Sequence, residues 1–275
     1  MKKITSNILS ACIKKRPSHS YKGDYGRILL IGGEFQMGGA ILMAASACVY
    51  SGAGLVTVAT DISNKTTLFS RLPEAMWCDL FNPYDLIPQI EEAEVIVVGP
   101  GLGQTVESCE TLKLVLDHCR PHQQLIIDGD GLSLLAKRNL DLPSSQVILT
   151  PHPGEWRALS GLAIDEQTLT ENKKKQEELG AVLVLKGERT VVYFDEECFE
   201  NTTGTAAQAT GGMGDTLAGM IGAFVGQFDD TKTAVLAAVY LHSYIAEEIA
   251  EDSYVSLPTA IIKRIPQTMK KFESE

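Results

Sequence analysis

The chain has 275 residues and a formal net charge of −11, from 24 Lys+Arg against 35 Asp+Glu; hydrophobic residues make up 44% and charged residues 21%. A chain this long buries enough surface to fold without disulfide or metal staples, and the composition excludes a disordered tail, a collagen and a coiled coil. The acidic balance argues against non-specific nucleic-acid or membrane binding, and no apolar run approaches the roughly 20 residues of a bilayer span. A phosphate ligand would have to be held by local backbone donors and a few placed cations.

At the start, Lys2 and Lys3 precede a weakly apolar stretch ending at Leu9-Ser10-Ala11-Cys12, which superficially resembles a lipoprotein signal. Its core from Ile4 to Ala11 carries Thr5, Ser6, Asn7 and Ser10, too polar for a working signal, so no export is expected. The six cysteines (Cys12, Cys48, Cys78, Cys109, Cys119 and Cys198) form no C-x-x-C pair and no zinc-finger spacing. They read as reduced thiols of a cytosolic protein.

Short apolar runs then alternate with helical spacing. Arg27 to Ile31, Leu55 to Ala59, Val95 to Val98, Leu125 to Ile127, Val147 to Leu149 and Val182 to Leu185 read as strands buried on both faces. Gly39 to Tyr50, Thr105 to Cys119 and Glu166 to Leu179 read as helices between them. This alternation predicts an α/β fold with a mostly parallel sheet and helices on both faces, in one continuous domain over residues 1–275. After Lys186, Thr190 to Phe194 and Cys198 to Thr202 predict a hairpin joined around Asp195-Glu196-Glu197. Two long helices, about Gly212 to Val225 and Thr231 to Ala250, are expected to close the chain. His242 lies on an otherwise apolar face of the second and reads as a core histidine satisfied by a neighbour.

Glycines gather just after the strands, where an open α/β sheet keeps its ligand crevice. Gly32-Gly33 with Gly38-Gly39-Ala40, and Gly99-Pro100-Gly101-Leu102-Gly103, fit neither a dinucleotide fingerprint nor a P-loop. Taken singly, each also fits an ordinary tight turn. The third cluster, Thr210-Gly211-Gly212-Met213-Gly214-Asp215, leads straight into an apolar helix. The first amides of such a helix lack internal partners and, with the helix dipole, form an anion site. Asp215 within that turn admits two readings: a helix-capping acid, or a general base for a hydroxyl attacking a bound phosphoryl group.

Two further segments complete a constellation. In Thr150-Pro151-His152-Pro153-Gly154-Glu155, His152 and Glu155 can converge before a helix; Glu155 either caps it or orients Mg²⁺ through water. Lys186-Gly187-Glu188-Arg189-Thr190 offers two cations, a hydroxyl and flexible backbone for a nucleotide; alone it is a turn with solvated charges.

Together these motifs resemble the ADP/ATP-dependent NAD(P)H-hydrate dehydratases of the ribokinase-like superfamily. The resemblance spans nearly the whole chain, from Lys22-Gly23-Asp24-Tyr25-Gly26 and Met37-Gly38-Gly39-Ala40 through Ser51-Gly52-Ala53-Gly54 to Leu185-Lys186-Gly187 and the Asp215 turn. It implies ADP- or ATP-driven dehydration of the S epimer of hydrated NADH or NADPH, giving AMP and phosphate with ADP. It assigns Asp215 as base and Gly212, Met213 and Gly214 as the amide anion hole. Ala40, Gly103, His152 and Asp215 would contact the hydrated dinucleotide. Lys186, Gly187, Glu188, Arg189, Thr190 and Gly214 would hold the AMP part of the donor. It further implies Mg²⁺, a homotetramer, and a separate epimerase, since no part of the chain is long enough for that domain. One departure is Gly129 in Asp128-Gly129-Asp130-Gly131, where the family pattern leads to an expected alanine. A kinase of hydroxymethylpyrimidines, thiazole alcohols or sugars is the main alternative, and a catalytically silent nucleotide sensor the second.

Overall fold

The computed structural model describes residues 1–274. Its strands are β1 Lys2–Ile4, β2 Arg27–Ile31, β3 Leu55–Thr60, β4 Met76–Asp79, β5 Val95–Val98, β6 Gln124–Ile127, β7 Gln146–Leu149, β8 Val182–Leu185, β9 Val191–Phe194 and β10 Glu197–Asn201. They join in one sheet in the order β1-β10-β9-β8-β7-β6-β5-β2-β3-β4. From β8 across to β4 every neighbouring pair is parallel. The predicted hairpin is present: β9 runs antiparallel to both β8 and β10, and Asp195 turns it with φ 49°.

The helices are α1 Asn7–Cys12, α2 Gly38–Tyr50, α3 Lys65–Arg71, α4 Pro83–Glu92, α5 Val106–His118, α6 Asp130–Arg138, α7 Pro153–Ser160, α8 Leu169–Leu179, α9 Met213–Gln227, α10 Thr231–Ala250 and α11 Pro258–Phe272. Alternate residues of the central strands pack to opposite sides, because a strand's side chains change face at every residue. Ile28, Leu30, Val95 and Val97 join the core under α2, α9, α10 and α11. Leu29, Ile31, Ile96 and Val98 join the core under α4, α5 and α6. Burial on both faces explains the near-continuous apolar runs.

Two expectations are corrected. The chain closes on three helices rather than two, and Ile261, Ile262 and Ile265 of α11 complete the core beside α2 and α10. The predicted helix from Glu166 splits into a short 3₁₀ turn, Ile164–Glu166, and α8, which starts behind the cap of Thr168 on the Glu171 amide. The lipoprotein-like N-terminus is an edge strand and a short helix: β1 pairs with β10, and Leu9 and Cys12 are buried.

The parallel strands bring their following loops to one edge of the sheet, in the spatial order of β8, β7, β6, β5 and β2. Lys186, His152, Asp128, Gly103 and Ala40 leave those strands in that same order.

Candidate active site

Helix α9 supplies the anion-binding turn. Gly212 is its N-cap, left-handed at φ 95°, and the first N–H groups, those of Met213, Gly214 and Asp215, project without intrahelical partners. A β-carbon at Gly212 would strike Met43 of α2, so the turn is seated against that helix. Asp215 lies in this first turn and is half-buried. Burial, reinforced by the negative charge of Asp128, pushes its carboxyl up to about 6, while the Lys186 ammonium holds it down. It is therefore a carboxylate at neutral pH with the proton affinity of a working base.

The Asp128 carboxylate, which sequence reasoning passed over, is the centre of the polar network. It is 2% exposed. Its Oδ1 accepts from Lys186 Nζ at 2.7 Å and from Thr150 Oγ at 2.7 Å. Lys186 Nζ also lies 4.0 Å from Glu155 Oε2. Desolvation opposes the lysine charge, but Asp128, Glu155 and Asp215 outweigh it and hold Lys186 above the ordinary lysine range. Burial raises the Glu155 carboxyl, with Lys186 and the His152 amide acting against that rise. The signal for Asp128 was present in the sequence as an acid closing the apolar run of β6 inside a glycine-rich turn.

His152 and Glu155 do converge, and they do so as a capping box. His152 Nδ1 accepts from the amides of Gly154 at 3.0 Å and Glu155 at 3.3 Å, while Glu155 Oε2 accepts from the His152 amide at 2.8 Å. The helix-capping reading of Glu155 therefore holds, and Nε2 of the exposed His152 lies 3.5 Å from Glu155 Oε1. The loops carrying Ala40 and Gly103 touch through their neighbours. A β-carbon at Gly101, at φ 59°, would stand 3.0 Å from that of Ala40. Gly103 donates its amide to Asp130 Oδ2 at 3.0 Å, a second acid not foreseen. Gly129 adopts φ 52°, so the glycine at this departure from the expected alanine serves a left-handed backbone.

Lys186, Gly187, Glu188, Arg189, Thr190 and Gly214 share one cavity of about 610 Å³, walled at the back by Leu217, Val239 and His242. Arg189 donates to Thr202 O at 2.8 Å. His242 is buried as expected but only half satisfied: Nδ1 lies 3.5 Å from Gln208 Nε2, and Nε2 has no partner. Burial pushes its imidazole down to about 4, so it is neutral at physiological pH. A larger cavity of about 960 Å³ lies at the opposite edge of the sheet, around Arg16, Tyr25 and Gln227. It contains none of the predicted site residues, and its principal cation is engaged: Arg16 stacks 3.7 Å over the Tyr25 ring and bonds Gln227 at 2.9 Å. The predicted nucleotide contacts thus line the smaller cavity.

Among the described residues no cluster of three or more His, Cys, Asp or Glu side chains could cage a metal ion. The acids present fit Mg²⁺ in its usual manner, with one or two carboxylates, several waters and the donor's phosphates.

An open parallel sheet with an amide turn, a buried acid and a nucleotide-sized cavity at its carboxyl edge defines a ribokinase-like α/β protein. A structure from Enterococcus faecalis V583 described as a ribokinase-like superfamily protein superposes with a TM-score of 0.98 at 44% identity, over 100% of this chain and 97% of that one. The chain belongs to the NAD(P)H-hydrate dehydratase family, whose model matches residues 28–267. The ADP-dependent (S)-NAD(P)H-hydrate dehydratase of Lactiplantibacillus plantarum is 53% identical over 99% of this chain and 98% of its own. The ADP/ATP-dependent NAD(P)H-hydrate dehydratase of Bacillus subtilis, co-crystallised with ATP/Mg²⁺, has a TM-score of 0.87 at 33% identity over 99% of each chain.

Proposed function

We propose that this chain is an ADP-dependent (S)-NAD(P)H-hydrate dehydratase that repairs hydrated NADH or NADPH. The observation that carries the proposal is the position of Asp215, a half-buried acid in the amide-bearing first turn of α9, beside the cavity lined by Lys186 to Thr190 and Gly214. Hydroxide is a poor leaving group at neutral pH, and phosphorylation turns it into a good one. Asp215 takes the proton of the ring hydroxyl as its oxygen attacks the terminal phosphorus of ADP. The new O–P bond forms as the bond to AMP breaks. The amides of Gly212, Met213 and Gly214 hold the charge on the migrating group. The ring nitrogen's lone pair then expels phosphate, and loss of a proton from the neighbouring ring carbon restores the dihydronicotinamide. A kinase scaffold thus suffices for a dehydration, because elimination follows from the substrate's own electronics.

Ala40, Gly103 and His152 are the proposed contacts of the hydrated dinucleotide, and Lys186, Gly187, Glu188, Arg189 and Thr190 those of the AMP moiety. Mg²⁺ would neutralise the donor's phosphates, held through water by Glu155. The proposal extends to one domain over residues 1–275, a homotetramer, work in the cytoplasm, and a separate epimerase that supplies the S epimer. No helix among the described residues is long and apolar enough to cross a membrane.

The test is incubation with hydrated NADH, Mg²⁺ and either ADP or ATP. Return of dihydronicotinamide absorbance with release of inorganic phosphate is the expected result. A stable phosphorylated alcohol would establish the kinase instead, and tight ADP binding without turnover the sensor.

A further inference from the structure

We propose that Asp128 is the positioning residue of this site: with Thr150 it pins the Lys186 ammonium against the amide turn of α9, so that Lys186 serves the group in transfer more than the nucleotide that delivers it. The proposal rests on the phosphoryl-transfer reading above. On sequence alone Lys186 belongs with its neighbours at the AMP moiety. Lys186 does line that cavity, but its ammonium is tied at 2.7 Å to Oδ1 of Asp128, which does not line it.

The location of that ammonium is fixed by the turn, the carboxylate and the carboxylate's second donor. A β-carbon at Gly214 would stand 3.0 Å from Lys186 Nζ and 3.7 Å from Asp128 Oδ2, so the ion pair abuts the turn that bears Asp215. The same Oδ1 accepts the Thr150 hydroxyl at 2.7 Å, which orients the carboxylate. The backbone beneath is equally constrained. Asp128 donates its amide to Val98 O at 3.0 Å, and its carbonyl, which accepts from Gly131 N at 3.0 Å, occupies the space a β-carbon at Gly99 would need. Two glycines that read as room for ligand therefore also make room for this pair.

Charge alone would not place an aspartate here. Asp128, Glu155 and Asp215 surround the single ammonium, and another anion beside a transferring phosphoryl group is unfavourable. The benefit of Asp128 must then be geometric. A lysine has a flexible four-carbon stem and a point charge, and an exposed pairing would not hold it in place. A buried carboxylate oriented by a second donor does. Positional errors of about 1 Å cost on the order of a hundredfold in rate, so fixing this ammonium acts on the chemical step.

The experiment is a double-mutant cycle of Asp128→Asn and Lys186→Met, read as kcat and as KM for ADP with hydrated NADH as substrate. Each single variant is expected to lose about a hundredfold in kcat, with KM for ADP moving by less than about threefold, and the double variant is expected to be no slower than Lys186→Met alone. Multiplied penalties would show that Asp128 does not act through Lys186, and losses confined to the KM for ADP would return Lys186 to the nucleotide; either overturns the proposal. If Asp128→Asn fails to fold by circular dichroism, Thr150→Val carries the test. It removes only the orienting hydroxyl and should lower kcat by about three- to tenfold at constant KM, and an unchanged kcat would refute the pinning. A wild-type protein inactive with hydrate and ADP would remove the phosphoryl-transfer reading itself, and this proposal with it.

Discussion

Asp215 must be ionised to accept a proton, yet its surroundings favour the neutral acid. Burial first, then the charge of Asp128, raise its carboxyl to about 6. Turnover should therefore fall as the pH drops through about 6, read from a pH–rate profile of kcat. Asp215→Asn should abolish turnover, by about a thousandfold or more, while ADP affinity measured by titration stays within about threefold. Near-normal activity in that variant would remove Asp215 from the base role. The same shift has a stability consequence. The folded state holds this proton more tightly than an unfolded aspartate, which titrates near about 3.9. Its contribution is therefore full below about pH 4 and is lost as the pH rises through 6. At pH 8 the half-buried carboxylate is a net cost, on the order of 1–3 kcal/mol. Asp215→Asn should thus unfold at higher denaturant than wild type at pH 8, and the gap should close near pH 4. A variant equally stable or weaker at pH 8 would contradict the burial argument.

At the scale of elements, β2, β5 and β8 were legible to the residue, because burial on both faces leaves an uninterrupted apolar run. The missed elements lack that pressure. β1 has exposed Lys2 and Lys3 at a sheet margin, and β4, at the opposite margin, has an exposed Met76. α4 and α11 carry internal prolines, Pro88 and Pro266, a residue type that interrupts helical spacing. α6 begins inside Asp128-Gly129-Asp130-Gly131, whose glycines read as loop. For the site, the glycine clusters, Asp215 and the residues after β7 and β8 were legible because each lies in a local motif. The Asp128 pairing was not, since its partners Thr150 and Lys186 are 22 and 58 residues away in sequence. The glycines of α9 show the same limit. At Gly219 the reason is packing: a β-carbon there would strike the Ala44 carbonyl of α2. Gly219→Ala should cost about 3 kcal/mol by urea denaturation. Gly187→Ala, where a β-carbon meets nothing within 4 Å, should change stability by less than about 0.5 kcal/mol.

Across the whole molecule, a parallel sheet gathers chemistry from distant stretches of chain at one edge, while the hairpin and β1 extend it beyond β8. Loops from β2 to β8 supply the acids and glycines, and α9, which follows the hairpin, returns to close them with its N-terminus. The helix that presents Asp215 is also a central pillar. Residues from Thr216 to Val225 are buried, and Gly219 brings its backbone against the Ala44 carbonyl of α2. The turn that bears Asp215 is continuous with that pillar. Heating should accordingly give one transition: lost turnover and lost ellipticity should track each other within about 2 °C, as two-state melting requires. An inactive species that kept its full ellipticity would show instead that the turn melts on its own. An enzyme assembled this way offers no warning stage, so surviving activity in a stressed sample counts the molecules that are still folded.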